Sequence, residues 1–145
     1  MATITASISI SSDIMSYPVS INKTMTMTKA GSCTGLSETT GLATRKYSGT
    51  NNQVDLITVA NESASTTGAN KLYIRNTGSD KVNYFRIGLG ASAGSTTPQE
   101  TEEIGRLYAG DWLLIPYLAE DANWDVMVMP STTEEMTLEY MLFHE

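Results

Sequence analysis

Catalysis and metal binding need reactive groups that can share a small volume, and this chain of 145 residues carries few of them. It has one histidine, His144, and one cysteine, Cys33. A Ser-His-Asp or Cys-His relay would require that histidine to be buried and oriented by a third group. Its penultimate position argues against this, because chain ends are seldom held so firmly. One Cys and one His cannot supply a closed zinc site. Cys33 lies among Gly31, Ser32, Thr34 and Gly35, which reads as a loop, with no histidine partner in view to activate a thiol. Two acidic groups, Glu100 with Glu102 and Glu103, and Glu120 with Asp121 and Asp125, could gather oxygen ligands for calcium. Their spacing has no Asp-x-Asp-x-Asp-Gly order, and solvated acidic loops are the simpler reading. A carboxylate pair for glycoside hydrolysis forms only in the fold, and nothing in the spacing favours one. Gly88-Leu-Gly90 lacks the third glycine, the lysine and the following helix of a phosphate cradle. Trp112 and Trp124, with Tyr73, Tyr84, Tyr108 and Tyr117, would suit a sugar-binding face, a sandwich core or an oligomer interface, with the last two favoured. The expectation is a chain with no catalytic, cofactor-binding or metal-binding residues, needing no cofactor, and not an enzyme.

The elements that would position these side chains are strands. Ser and Thr make up roughly a quarter of the residues, while charged residues are only 17%. Thr suits a pleated surface and Ser suits turns, so the bias points to an all-β protein rich in loops. Thr3–Ser11 alternates strictly, with Ile4, Ala6, Ile8 and Ile10 on one side and Ser or Thr on the other. That pattern predicts a strand with one buried and one wet face. A second strand follows with Tyr17, Val19, Ile21, Met25 and Met27 on one side, Lys23 interrupting them and Pro18 near its start. Lys29–Gly41 reads as a long loop, Leu42–Tyr47 as a short strand, and Val54–Val59 as another. Leu72–Asn76 and Val82–Leu89 flank a polar turn with Gly78 and Asp80, which predicts an antiparallel hairpin. Ile104–Pro116 predicts a second hairpin-like unit. Trp124–Met129 and Met136–Phe143 complete nine or ten strands with no convincing helix; Glu134–Met141 holds helix formers, but its alternation favours a strand. The expected architecture is one antiparallel β-sandwich or jelly-roll domain spanning residues 1–145, with residues 1–16 as an extended arm that could pair with a neighbouring subunit.

The net charge of −7 argues against nucleic-acid binding, which needs a basic stripe. The first residues have neither a basic region nor a continuous apolar run, and no stretch has the ~18 apolar residues that span a bilayer. Neither a secreted precursor nor a membrane protein is expected, and one cysteine excludes an intrachain disulfide.

The order Leu72-Tyr-Ile-Arg-Asn-Thr-Gly78, then Tyr84-Phe-Arg-Ile-Gly88, then Ile104-Gly-Arg-Leu-Tyr-Ala-Gly-Asp-Trp112 and a proline resembles small β-rich virion proteins of tailed bacteriophages. The resemblance covers Lys71–Pro116 best, and Leu138–Phe143 is similar in style. It implies a structural role. A capsid decoration (cement) protein that binds and stabilises the shell of major capsid subunits comes first. A neck, tail or fibre component, including a host-surface carbohydrate-binding module, is the alternative. It also implies a location on the capsid surface of the virion after assembly in the host cytoplasm. The implied partners are the major capsid protein or other virion proteins, and further copies of the chain, with a trimer favoured. The expected contacts lie in Thr3–Ile10, Gly31–Gly41 and Gly88–Pro98, with Ile4, Ile8, Ile10, Leu36, Leu89 and Trp112 as the residues that would carry them.

Overall fold

The structure is a computed structural model that describes residues 3–14, 18–32, 34–36, 38–59, 69–90, 101–118 and 124–144. The described residues contain eleven strands: β1 (Thr5–Ser12), β2 (Val19–Thr26), β3 (Glu38–Thr39), β4 (Ala43–Tyr47), β5 (Val54–Ile57), β6 (Lys71–Asn76), β7 (Tyr84–Gly90), β8 (Thr101–Tyr108), β9 (Trp112–Pro116), β10 (Asp125–Pro130) and β11 (Met136–His144). Every pairing among them is antiparallel.

One sheet runs β5-β10-β7-β8. The other runs β11-β6-β9, with β4 and the two-residue β3 sharing the far side of β11. From β4 to β11, each strand lies in the opposite sheet from its predecessor, apart from the paired β7 and β8. This is the strand order of an eight-stranded jelly roll, the more specific of the two architectures expected.

The period-2 pattern explains the core. Leu72 and Ile74 in β6, Leu138 and Leu142 in β11, Phe85 and Ile87 in β7, and Val126 and Val128 in β10 are all fully buried and meet in one cluster. Tyr47 of β4 meets Phe85 of the opposite sheet edge-on, with ring centroids 5.6 Å apart. Burial of this kind contributes about 1.5–3 kcal/mol per large side chain. Glu134–Met141 contains no helix, and its alternation places Met136 and Leu138 in the core.

Two expectations are corrected. Leu72–Asn76 and Val82–Leu89 do not form a hairpin: β6 pairs with β9 and β11, while β7 pairs with β8 and β10. The turn between them is an arch from one sheet to the other. Ile104–Pro116 likewise crosses, from β8 to β9. The two arches lie side by side and Asn76, buried at their junction, ties them together. Its side chain donates to Leu107 O (3.0 Å) and accepts from Gly78 N (2.9 Å). Its backbone N–H donates to Asp111 O (3.0 Å) and its carbonyl accepts from Gly110 N (3.0 Å). Asn-Thr-Gly and Ala-Gly-Asp are therefore the two halves of one corner. The second, smaller correction is that Lys29–Gly41 is not all loop, since Glu38 and Thr39 pair with β11.

Candidate interaction surface

β1 and β2 form a two-stranded ribbon of their own, which among the described residues packs against no other strand to more than a marginal extent. Directly opposed residues point to the same side of such a ribbon. One face therefore carries Ala6 opposite Met25, Ile8 opposite Lys23, and Ile10 opposite Ile21. The other is wholly polar: Ser7 hydrogen-bonds Thr24 (2.9 Å) and the Ser9 hydroxyl donates to Asn22 Oδ1 (2.7 Å). The alternation in the sequence is thus realised, but the apolar face is left uncovered. Ile8, Ile10, Ile21 and Met25 are 40–45% exposed.

The root of the ribbon is built rather than loose. Met27 N donates to Ile4 O (2.9 Å), Leu36 N to Met27 O (3.0 Å) and Lys29 N to Thr34 O (2.8 Å), and Met27 and Leu36 are both buried.

The outer faces of the two sheets differ in chemistry. On β7 and β8, Arg86 bonds Glu103 through Nε (2.8 Å), Arg106 Nε reaches the same carboxylate at 3.5 Å, and the Arg106 guanidinium lies 4.8 Å over the Tyr84 ring. The Arg86 hydrogen bond, more than any other influence, holds the Glu103 carboxyl below its usual range. On the other sheet the register lines up Leu114, Tyr73 and Met141 across β9, β6 and β11, all half-buried. Trp112, 50% exposed, starts the edge strand beside them, and with Tyr73, Arg75 and Gly110 it lines an open depression. The Tyr73 hydroxyl donates to Glu139 (2.8 Å); burial first, and then this bond, pushes its pKa up.

The residues expected to make contacts divide. Ile8 and Ile10 lie on the open ribbon face, with Ile4, half-buried, at its root. Trp112 is exposed on a sheet edge. Leu36 is fully buried and Leu89 packs against the core, so both side chains are taken up within the chain rather than offered to a partner. Most of Gly88–Pro98, with Glu100, Glu120, Asp121 and Cys33, lies outside the described residues. The sequence pointed at β1 but undervalued β2, whose Ile21 and Met25 complete the face; their shared parity with Val19 was the available signal.

His144 is buried despite its place near the end of β11, with Nδ1 3.8 Å from Glu38 Oε2 where β3 joins the sheet. The expectation that this histidine would be unheld is corrected: strand pairing holds it. Asp125, read as part of an acidic loop, is buried and accepts the Val59 N–H (2.7 Å); burial pushes its carboxyl up. Gly88 sits where β8 bulges, so that Ile104 is the extra residue opposite Ile87 and Gly88; that is a structural use of the glycine. Among the described residues, no three His, Cys, Asp or Glu side chains are placed to hold a metal ion, and no helix is long and apolar enough to cross a membrane.

No protein-family model matches the chain, and no curated protein is similar to it in sequence. Among solved structures it is similar to the Yersinia pseudotuberculosis-derived mitogen, at 12% identity and a TM-score of 0.44 over 74% of this chain and 86% of that one. At that score and identity the likeness carries no information on function.

Proposed function

We propose that this chain is a non-enzymatic structural protein of a tailed-bacteriophage virion, most specifically a capsid decoration protein that binds and stabilises the shell of major capsid subunits. The observation that carries the assembly part of this reading is the ribbon. An isolated two-stranded ribbon is marginal in water, and one with an open isoleucine face gains most of its stability by packing on something else. The virion part rests on the resemblance of the Lys71–Pro116 sequence, with its Asn-Thr-Gly and Leu-Tyr-Ala-Gly-Asp turns between strands, to small phage structural proteins. Jelly rolls also serve in viral capsids, an analogy of fold and not of site. The test is to add the purified chain to undecorated capsids of the phage that encodes it. Binding at fixed stoichiometry, with a rise in the melting temperature of the shells, is expected. Failure to bind overturns the decoration reading.

A second reading is favoured by one observation, the open depression of about 450 Å³ that Trp112 and Tyr73 line with Arg75. Aromatic side chains beside a guanidinium suit a sugar, which would make the chain a host-surface carbohydrate-binding module. Glycan-array binding that is lost in Trp112→Ala would support it, and an array with no binding would remove it.

A further inference from the structure

We propose that the outer face of the β4-β11-β6-β9 sheet binds an acidic glycan, a chain of carboxylate-bearing sugars laid along β6 between Arg75 and Lys71. The inference rests on the carbohydrate-binding reading of the Trp112 depression, and it names the class of sugar that the depression takes.

β6 supplies the charges. Leu72 and Ile74 turn into the core, so Lys71, Tyr73 and Arg75 stand together on the outer face. Lys71 and Arg75 are four residues apart, about 13 Å at ~3.3 Å per residue, a span that covers a few sugar rings. Trp112 lies directly opposite Arg75 on β9 and is 50% exposed, so its indole offers apolar surface to the C–H side of a sugar. The depression of about 450 Å³ that Trp112, Arg75 and Tyr73 line with Gly110 is of the size that small ligands occupy.

Both cations keep capacity for a ligand. Glu139, opposite Arg75 on β11, accepts the Tyr73 hydroxyl on Oε1 at 2.8 Å and meets Arg75 Nη1 only at 3.5 Å. A guanidinium has five N–H donors, and a sugar carboxylate can take two of them side by side. Lys71 Nζ donates to two neutral carbonyls, Ala69 O (2.6 Å) and Asn70 O (3.3 Å), and among the described residues no carboxylate pairs with it. Lys46, on the same face, differs, because Glu135 holds it at 2.8 Å.

Other parts of the surface suit an anion less well. On the opposite sheet Arg86 and Arg106 both close on Glu103, and exposed Glu102 follows in the same strand. A second open depression, about 310 Å³, is lined by Asp80, Glu134 and Glu135 and repels carboxylates. Against a net charge of −7, β6 presents two cations beside one carboxylate, and that contrast fixes where an acidic chain settles.

The experiment is calorimetric titration of the full chain with oligogalacturonate, with oligosialate and with a neutral malto-oligosaccharide of equal length, at low and high salt. Tighter binding of an acidic oligomer than of the neutral one, weakening as salt rises, is expected. Arg75→Gln should weaken acidic binding by about ten-fold or more, and Lys71→Gln should weaken it less. Glu139→Gln keeps an acceptor for Tyr73 but removes the charge that competes for Arg75, so it should tighten acidic binding; a merely structural Glu139 would not. Lys71→Gln and Glu139→Gln read the site without touching Arg75, so a folding defect in one variant leaves the test intact. Equal binding of acidic and neutral oligomers, or acidic affinity unmoved by all three variants, overturns the inference and leaves the carbohydrate reading standing. Polyglutamate bound as tightly as the acidic sugars also overturns it, because charge alone then suffices. Binding to no sugar overturns both.

Discussion

Replacing Asn76 with alanine should destabilise the sandwich more than any other single loss of a polar group at this corner. The substitution leaves Leu107 O without the Nδ2 donor at 3.0 Å, in a residue only 7% exposed, and Gly78 N–H without its acceptor at 2.9 Å. An unsatisfied buried carbonyl costs about 1–3 kcal/mol, and the Gly78 group, which water can reach, about 0.5–1 kcal/mol. The sum, about 1.5–4 kcal/mol, corresponds to a fall in melting temperature of about 5–15 °C in a chain of this size. Asn76→Asp separates the two bonds. It keeps an acceptor for Gly78 but sets an oxygen against Leu107 O, so its carboxyl is pushed up and can donate to that carbonyl only when protonated. With a folded-state pKa above the unfolded one, its stability is greatest below the ordinary carboxylate range and is lost as pH rises through the raised value. Urea denaturation at pH 4 and pH 7 reads this directly: Asn76→Asp should approach wild type at the lower pH and fall towards Asn76→Ala at the higher. An Asn76→Ala variant within about 0.5 kcal/mol of wild type, or an Asn76→Asp deficit independent of pH, would refute the account of the corner.

Asp125→Asn should alter the pH profile in the direction set by burial. The native carboxyl is raised, so the stability that Asp125 contributes is full below the ordinary carboxylate range and is lost as pH rises through its own pKa. The amide oxygen can still accept from Val59, so wild-type minus variant stability should fall from pH 3 to pH 7 in urea titrations, and a flat difference would refute it. Glu103→Gln should behave oppositely. This carboxyl is lowered, so its contribution is present above the ordinary range and lost as pH falls through the lowered value; being partly exposed, it should be worth less than about 1 kcal/mol at pH 7. Gly110→Ala should cost about 1–2 kcal/mol through the backbone alone, because φ is +89° and nothing crowds a Cβ there. Gly105→Ala, with equal space and an ordinary φ, should be neutral or slightly stabilising in the same thermal melts.

Strand positions were legible because side chains alternate with a period of two wherever one face meets a core. Strand partners were not. Alternation tells which face of Leu72–Asn76 is buried, but β9 and β11 lie beside it for reasons that no local pattern carries. The turn from Thr77 to Asn83 holds the polar and glycine residues of a hairpin, and an arch between sheets uses the same residues. Asn76 was the discriminating position, since a buried amide at a turn must be answered by some other segment, and here the answer comes from Leu107 and Asp111. The interaction surface was half legible. Ile8 and Ile10 were identified by spacing, but the sequence cannot state that their face remains uncovered, because burial depends on what the rest of the chain brings to it. Leu36 and Leu89 show the converse, apolar residues in glycine-rich stretches that the fold uses internally.

The place of β11 sets the order in which this molecule can become itself. It lies between β4 and β6, so the β4-β11-β6-β9 sheet has no middle until residues 136–144 have left the ribosome. The ribbon, in contrast, joins residues at most 21 positions apart and can zip as soon as Thr26 emerges. The ribbon, with its isoleucine face, can thus be complete while the sandwich still lacks β11. The time translation takes from Thr26 to residues 136–144 is the time for which the core strands wait for their central partner.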